Sequence, residues 1–341
     1  MSAKRVTISD IAERAGVHRS TVSLALRDDP RITAATRDRI KAIAADIGYL
    51  PNLVARGLTS KRTHTVGLLV PKLRDDFYVT VVSHQEEWLR AHGMTPLLIV
   101  TQIRKEIELP AIAELVGRGV DGLAFNYYPS APETRRKIEE LAHSGTPAAM
   151  FGYPETAGVD YVTYDTIEMG YTLTRYLVSL GHRRIAILTW NMHNRRMEGY
   201  RRALAEARIP FDQNLVFLID YAHQDISHIH AAVMAGPRPP TAIFASCDDL
   251  AAEVINRLVD DGFRVPEDVS VAGFDDCWFS KLLRVPLTTM RLPQRAMAEA
   301  LVEMLMTRIE AGADGPPAPC RCQDFKGELV VRASTGPPPQ R

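Results

Sequence analysis

Arg19, Ser20, Ser23 and Arg27 are the residues whose types and spacing point most directly to a chemistry. In VHRSTVSLAL (Val17–Leu26) the apolar positions Val22, Ala25 and Leu26 fall on one side of a helix, which leaves the two arginines and two serines on the outward side. A helix face of this kind can enter a DNA major groove. It must be held by neighbours. In TISDIAERAG (Thr7–Gly16), Ile8, Ile11, Ala12 and Ala15 recur at i, i+3, i+4 and i+7, so a preceding helix buries one stripe, with Thr7 as its cap and Asp10 in its first turn. Gly16 permits the tight turn and Val17 plugs the junction. A third helix is predicted from Thr33 to Ile47, capped by Thr33, with Ile40, Ile43, Ala44 and Ile47 on one face and Gly48 ending it. Together these form a helix-turn-helix with a supporting third helix.

Charge separates this head from the rest. Residues 1–62 hold 12 Lys or Arg against 6 Asp or Glu, a surplus of six positive charges, whereas the chain as a whole sums to +0. The remainder therefore carries six net negative charges. A basic head on an acidic body is the asymmetry expected when one end meets phosphate.

From Val66 onward short apolar runs alternate with amphipathic stretches. Val66–Val70, Pro96–Val100, Gly122–Asn126, Ala148–Phe151, Arg184–Trp190, Leu215–Asp220, Ala242–Cys247 and Val269–Phe274 read as strands; Tyr78–His92, Ile107–Arg118, Glu168–Leu180 and Asp248–Asp261 read as helices. The alternation predicts α/β architecture with parallel sheets covered on both faces. Eight such units exceed one small sheet, so two doubly wound lobes are expected, split near residues 160–165. In such sheets ligands bind beyond the carboxyl ends of the strands. Phe77, Tyr78, Tyr164, Asp165, Trp190, Asn191, Cys247, Asp248, Asp275 and Asp276 all fall at such ends, which predicts a pocket between the lobes.

No catalytic set competes with a binding role. The chain has no G-x-S-x-G elbow, Walker loop, H-E-x-x-H helix or dinucleotide G-x-G-x-x-G motif. The pairs Asp248–Asp249 and Asp275–Asp276 have no nucleophile beside them, so they read as hydrogen-bonding carboxylates in a ligand cleft rather than as acid and base. Four cysteines, at 247, 277, 320 and 322, form no C-x-x-C pair, and His223, His228 and His230 do not fit zinc spacing. No metal, no cofactor and no enzymatic activity are expected. Nor does any apolar run approach the roughly 18 residues of a membrane span, and MSAKRVTISD lacks the apolar core of a secretory signal. A cytoplasmic protein with no membrane partner is the expectation.

The segments VTISDIAERAGVHRSTVSLAL, ITAATRDRIKAIAADIGYLPNLVARGL, TVGLLVP, LVSLGHRRIAIL, VPEDVSVAGFDD, VPLTTMRLP and ELVVRAST resemble, in this order, the lactose-repressor and galactose-repressor (LacI/GalR) family of bacterial transcription regulators. The resemblance spans almost the whole chain. It implies a DNA-binding headpiece at 1–49, a hinge helix and linker at 50–62, and an effector-binding and dimerisation core of periplasmic-binding-protein type at 63–335. Within that core the N-lobe comprises approximately 63–163 and 293–320, and the C-lobe approximately 164–292 and 321–335; a disordered tail follows at 336–341.

The resemblance also implies roles. Arg19 and Ser20 match base-reading positions, with Leu24 one turn later; an arginine can grip guanine O6 and N7, and a leucine can touch a thymine methyl. Thr21 and Ser23 match phosphate contacts. Arg27 completes the face. His18 replaces the family's capping serine; histidine caps poorly, so a contact with the DNA backbone is expected of it. In the hinge, Asn52, Ala55 and Leu58 match residues at the operator centre, where Leu58 is the minor-groove lever. Gly57 departs from the pattern at a cost of about 1 kcal/mol in helix propensity.

For the effector, Arg196 matches the family's ligand-gripping arginine, three residues before Gly199. Asp275 matches its acidic partner, and Phe77, Tyr78 and Tyr164 match stacking positions. Trp190, Cys247 and Asp248 complete the expected wall. Cys247 stands where many relatives have asparagine, and Gly152 where sugar-binding relatives often carry an acid. The implied protein is a homodimeric repressor of double-stranded operator DNA, controlled by a sugar or sugar derivative. The alternatives are a solute-binding protein without regulatory role, which would need a secretion signal and no DNA head, and a corepressor-dependent regulator with a non-sugar ligand.

Overall fold

The computed structural model describes residues 6–50, 62–129, 131–152, 158–190, 195–219, 226, 238–312 and 319–340. The chain divides into two compact units, Met1–Thr63 and His64–Arg341.

The first unit holds α1 (Ile8–Ala15), α2 (Arg19–Ala25) and α3 (Ala34–Asp46). Their inward positions form one small core of Ile11, Ala12, Ala15, Val22, Ala25, Ile40 and Ala44. At the head of α1 the Asp10 carboxylate accepts from both the N–H and the hydroxyl of Thr7, each at 2.7 Å. At its tail Gly16 adopts φ 62°, and the Val17 N–H reaches the Ala12 carbonyl at 3.1 Å, so the chain reverses within two residues. Arg39 donates to the Ala15 carbonyl at 2.9 Å and ties α3 to the end of α1. Thr33 caps α3 by accepting from the Thr36 N–H at 3.4 Å.

Among the described residues the second unit contains two six-stranded sheets. In the first the order is β11-β5-β4-β3-β1-β2, all parallel, built from β1 (Thr65–Val70), β2 (Thr95–Val100), β3 (Gly122–Phe125), β4 (Ala148–Phe151), β5 (Asp160–Tyr164) and β11 (Cys322–Phe325). In the second the order is β12-β10-β9-β8-β6-β7, from β6 (Ile185–Thr189), β7 (Val216–Leu218), β8 (Ala242–Ala245), β9 (Ser270–Asp275), β10 (Thr288–Arg291) and β12 (Glu328–Val330). Among the described residues only β12 runs antiparallel to its neighbour there. Helices α4 (Asp76–Ala91), α5 (Lys105–Gly117), α6 (Pro132–His143), α7 (Thr166–Ser179), α8 (Arg195–Glu206), α9 (Asp248–Asp260) and α10 (Gln294–Ala311) intervene. Strands β3, β4, β6, β8 and β9 are buried from end to end, as parallel strands covered on both faces must be. Among the described residues no helix is long and apolar enough to cross a membrane.

The chain passes between the sheets three times: after β5, between β10 and α10, and between β11 and β12. The last crossing corrects the expected lobe boundary. Residues 321–335 do not all belong with the second lobe, because Cys322–Phe325 pairs in parallel with Asp160-proximal residues Tyr161–Tyr164 of the first sheet. A buried ion cluster fixes this register: the Asp160 carboxylate accepts from Arg308 at 2.6 Å, and from the Arg321 N–H at 2.8 Å and guanidinium at 2.7 Å. Although burial works against ionisation, these bonds hold the Asp160 carboxyl below the usual carboxylate range. A second correction concerns the tail. Gly336 is tied into the second lobe, its N–H donating to Ser270 Oγ at 3.0 Å and its carbonyl lying 2.9 Å from His182 Nε2.

Candidate nucleic-acid interface and ligand cleft

On α2 the side chains of Arg19 and Ser20 are exposed in the first turn, and Arg27 is exposed just past the last. Thr21, Ser23 and Leu24 are half-buried, so they can offer only their outer atoms. His18 corrects its expectation. It is the N-cap of α2: Nδ1 accepts from the Ser20 N–H at 3.3 Å and lies 2.8 Å from Ser20 Oγ. An accepting Nδ1 requires the neutral tautomer with its proton on Nε2, so the imidazole replaces the usual serine oxygen as cap. Asn52, Ala55 and Leu58 lie outside the described residues.

The ligand cleft is built at the carboxyl ends of strands from both sheets. Arg196 is delivered by helix packing. A Cβ on Gly199 would stand 2.0 Å from the Ile167 carbonyl oxygen and 2.5 Å from the Tyr171 nitrogen, and one on Gly170 would stand 2.5 Å from the Arg196 carbonyl oxygen. The two glycines let α7 and α8 touch backbone to backbone, which sets the first turn of α8 and with it Arg196. The guanidinium carbon lies 3.9 Å from the centroid of Phe274, and Nη2 lies 4.0 Å from Asp275 Oδ1. Asp275 ends β9 at φ 113° and Asp276 follows at φ 53°, an arrangement that L residues rarely adopt. Asp276 is anchored by Arg332 at 2.5 Å and Arg291 at 2.6 Å, which fixes the turn and aims Asp275 into the cleft.

Aromatic rings line the first-lobe side. Phe77 is buried, with its ring edge-on to Tyr78 at 5.2 Å and tilted to Tyr164 at 6.4 Å, whereas Tyr78 and Tyr164 are half-buried. From the other lobe Trp190 approaches Lys72, whose ammonium lies 5.9 Å from the indole. Gly152, at φ 153°, lies under the Tyr128 ring, so close that a Cβ would be 2.7 Å from Tyr128 Cδ2. Tyr128 thus fills the space an acidic side chain at 152 would need.

Two expected wall residues are buried. Asp248 is fully buried; its carboxylate accepts from Ser280 Oγ at 2.5 Å, Thr289 Oγ1 at 2.6 Å and the Cys277 N–H at 2.9 Å. Burial pushes its carboxyl up to about 7 in spite of those three donors. It is a structural strut of the second lobe. Gly273 makes room for it, since a Cβ there would meet Asp248 Oδ1 at 2.2 Å. Cys247 is 2% exposed and packs with Leu250, Ala251 and Val254; burial drives its thiol well above the ordinary range.

Two cleft residues were missed from sequence, Lys72 and Asp75, while Asp249, read there only as one of a pair of cleft carboxylates, takes the place expected of Asp248. Asp75 caps α4 by accepting from the Phe77 N–H at 3.1 Å and lies 3.7 Å from Lys72. Burial raises its carboxyl, opposed by Lys72. Asp249 faces the first lobe, and burial together with Asp75 and Asp76 pushes it up to about 6. A signal existed for the exchange of Asp248 and Asp249. Asp248, Ala251, Ile255 and Leu258 share the buried stripe of α9, which places Asp249 on the cleft side.

With this geometry in hand, comparison with known proteins is informative. Residues 7–52 match the model for bacterial regulatory proteins of the lacI family, and residues 174–335 match that for the periplasmic binding protein-like domain. The HTH-type transcriptional regulator DegA of Bacillus subtilis is 30% identical over 338 residues, covering 98% of this chain and 99% of the relative. Among solved structures, the Lac repressor bound to ONPG in its repressed state superposes with TM-score 0.84 at 25% identity, covering 97% of this chain and 100% of the other. A complex of the transcriptional regulator CelR with cellobiose superposes with TM-score 0.68 at 27% identity over 97% of this chain and 100% of the other. A basic helix-turn-helix head, two parallel-sheet lobes and full-length similarity to regulators converge on one statement: the chain belongs to the lacI family of bacterial regulatory proteins and is a DNA-binding transcriptional regulator.

Proposed function

We propose that this chain is a homodimeric repressor whose grip on operator DNA is set by a small ligand, a sugar or sugar derivative, bound between the two lobes of its core. The observation that carries the reading is the meeting of Arg196, from the start of α8, with Asp275, from the end of β9, in a cleft faced by Tyr78, Tyr164 and Trp190. A guanidinium and a carboxylate side by side can donate to and accept from vicinal hydroxyls, and flat rings suit the apolar faces of a pyranose. The cellobiose and ONPG complexes of similar proteins support the same class of ligand.

On the DNA side, Arg19, Ser20 and Leu24 read bases while Thr21, Ser23, Arg27 and the hinge residues Asn52, Ala55 and Leu58 set register and bend. The ligand acts by favouring one lobe arrangement over the other, which changes whether the two hinges of a dimer can meet on DNA. The reading takes the chain as a binder rather than an enzyme. Asp248 is committed to Ser280, Thr289 and Cys277, and Asp276 to Arg291 and Arg332, which leaves neither free for acid–base work. The test is a thermal-shift panel of sugars, polyols, sugar acids and nucleosides, with every hit carried into operator binding. A ligand at 100 times its dissociation constant adds about 2.7 kcal/mol of stability. A hit that also shifts operator affinity supports the reading; hits confined to nucleosides would replace the sugar assignment.

A further inference from the structure

We infer that Cys320 and Cys322 form a dithiol that a hydroperoxide oxidises to a disulfide, and that closing this bond releases the edge strand β11 from its clamp on Asp160.

The four cysteines divide by exposure. Cys247 and Cys277 are buried, whereas Cys320 and Cys322 are free thiols on the surface. Extended backbone sets the exposed pair on one face. The Tyr161 N–H donates to the Arg321 carbonyl at 2.8 Å, so the parallel register of β11 with β5 continues back to residue 321. The Arg321 side chain turns toward buried Asp160 and toward the Met304 carbonyl of α10, at 2.7 Å and 2.5 Å. Side chains alternate across a strand, so the thiols on either side of Arg321 share the opposite face. Two residue rises of about 3.3 Å separate their Cα atoms by about 6.6 Å. Disulfides span Cα separations of roughly 4.4–6.8 Å, so the pair stands at the wide limit of that range and closes through a bend at Arg321.

The bend acts against the ion cluster that sets the register of β11. Asp160 accepts from the Arg321 N–H at 2.8 Å and from its guanidinium, while Arg308 holds the same carboxylate from α10 at 2.6 Å. In the reduced chain these bonds keep residue 321 extended and the thiols apart. Shortening the span from Cys320 to Cys322 turns the Arg321 peptide out of line with both Asp160 and Tyr161, so closure of the disulfide and the clamp oppose each other. The strand runs on through residues 326 and 327 to β12 of the other sheet. Loosening β11 therefore loosens one of the three connections between the lobes.

The surroundings of the two sulfurs give the order of attack. The Arg308 guanidinium donates to the Pro319 carbonyl at 3.3 Å, and it and a Cys320 thiolate attract each other. Partial burial, and after it the Asp324 carboxylate, raises the Cys322 thiol. Cys320 attacks first. Its thiolate sulfur bonds to one peroxide oxygen, the O–O bond breaks, and the departing hydroxide takes up the thiol's proton and leaves as water. Cys322 then attacks the sulfur of the Cys320 sulfenic acid; the S–S bond forms, the S–O bond breaks, and the second hydroxide leaves as water with the Cys322 proton. Two thiols are oxidised by two electrons and one peroxide is reduced to two waters.

The test treats the reduced full chain with hydrogen peroxide and maps its thiols by alkylation and mass spectrometry. The expected product is a Cys320–Cys322 disulfide within one chain, lighter by two hydrogens and fully reversed by dithiothreitol, with Cys247 and Cys277 alkylated only after denaturation. Dimedone should trap a sulfenic acid on Cys320 in Cys322→Ser, and at least about tenfold less on Cys322 in Cys320→Ser. Amide hydrogen exchange at Tyr161 and Arg321 should quicken at least about tenfold in the oxidised chain and stay slow in both serine variants treated alike. Thiols left unmodified, disulfides between chains, or oxidation past the disulfide to sulfinic acid would overturn the site. Equal trapping on the two sulfurs would overturn the order of attack. A disulfide formed with unchanged exchange at Tyr161 and Arg321 would overturn its link to the clamp.

Discussion

Arg196 Nη2 lies 4.0 Å from Asp275 Oδ1, beyond hydrogen-bonding distance, while the same guanidinium is stacked 3.9 Å from the centroid of Phe274. The arginine is thus positioned by a ring of the second-lobe core, and the gap to the acid is where a ligand's polar atoms can enter. Lysine cannot reproduce either the stacking or the forked donors. Arg196→Lys should weaken ligand binding by about ten- to hundredfold, the equivalent of losing one or two charged hydrogen bonds. Operator affinity without ligand should be unchanged. Unaltered ligand affinity in this variant would remove Arg196 from the site.

Gly199 controls the same arginine at one remove. Because a Cβ there would penetrate the Ile167 carbonyl and the Tyr171 nitrogen, both backbone atoms, no rotamer change can relieve Gly199→Ala. Helix α8 must move away from α7, at a cost of roughly 1–3 kcal/mol for such overpacking. Chemical denaturation should report that loss, and ligand affinity should fall with it as Arg196 is displaced. Wild-type stability in the variant would show that the close approach is not made in solution.

On the DNA side the exposed Arg19 and the half-buried Ser23 should behave differently. Arg19→Ala should cost about 1–3 kcal/mol at one operator base pair and relax preference there, because the proposed role directs its donors to base edges. Ser23→Ala should weaken all sequences to a similar, smaller extent. Competition binding on single-base operator variants distinguishes them; a uniform loss for Arg19→Ala would mean that it contacts phosphate only.

Asp248 and Asp249 give the fold a pH dependence of definite sign. Burial is the main cause of both raised values, about 7 and about 6, so the folded chain holds these protons more tightly than the unfolded chain does. Their contribution is complete below the usual carboxylate range and is lost as pH rises through 6 to 7. Asp160 acts oppositely, because its depressed value stabilises the fold above the usual carboxylate range and fails only in stronger acid. The melting temperature should therefore rise as pH falls from about 8 to about 5 and then decline. Asp248→Asn should flatten the rise. A profile of unchanged slope in that variant would show that Asp248 is already ionised in the fold.

Much of this arrangement was legible in the residues, and the parts that were not have physical reasons. The stripe Ile11, Ala12, Ala15 and the caps Thr7 and Thr33 depend on local spacing alone, and the structure forms them as read. Arg196 was named through the family resemblance, which sets it three residues before Gly199, and the close packing of α7 on α8 gives the physical reason for that glycine. The placement of β11 was missed because pairing with β5 is made across some 160 residues and is fixed by Asp160 with Arg308 and Arg321, which local periodicity does not reveal. His18 was misread because serine preference at caps is a tendency, and an imidazole nitrogen can accept the same bond. Asp75 and Lys72 sit in a loop without period, so only the folded chain shows them facing Asp249.

The central claim, a regulator that reads DNA through Arg19 and its neighbours on α2, is tested most directly by selecting binding sites from a random duplex library with the full-length chain. The account predicts enrichment of a two-fold symmetric site whose half-sites contain an invariant guanine, and loss of that guanine's enrichment with Arg19→Ala. Recovery of unrelated sequences, bound only as strongly as bulk DNA and released by modest salt, would contradict it.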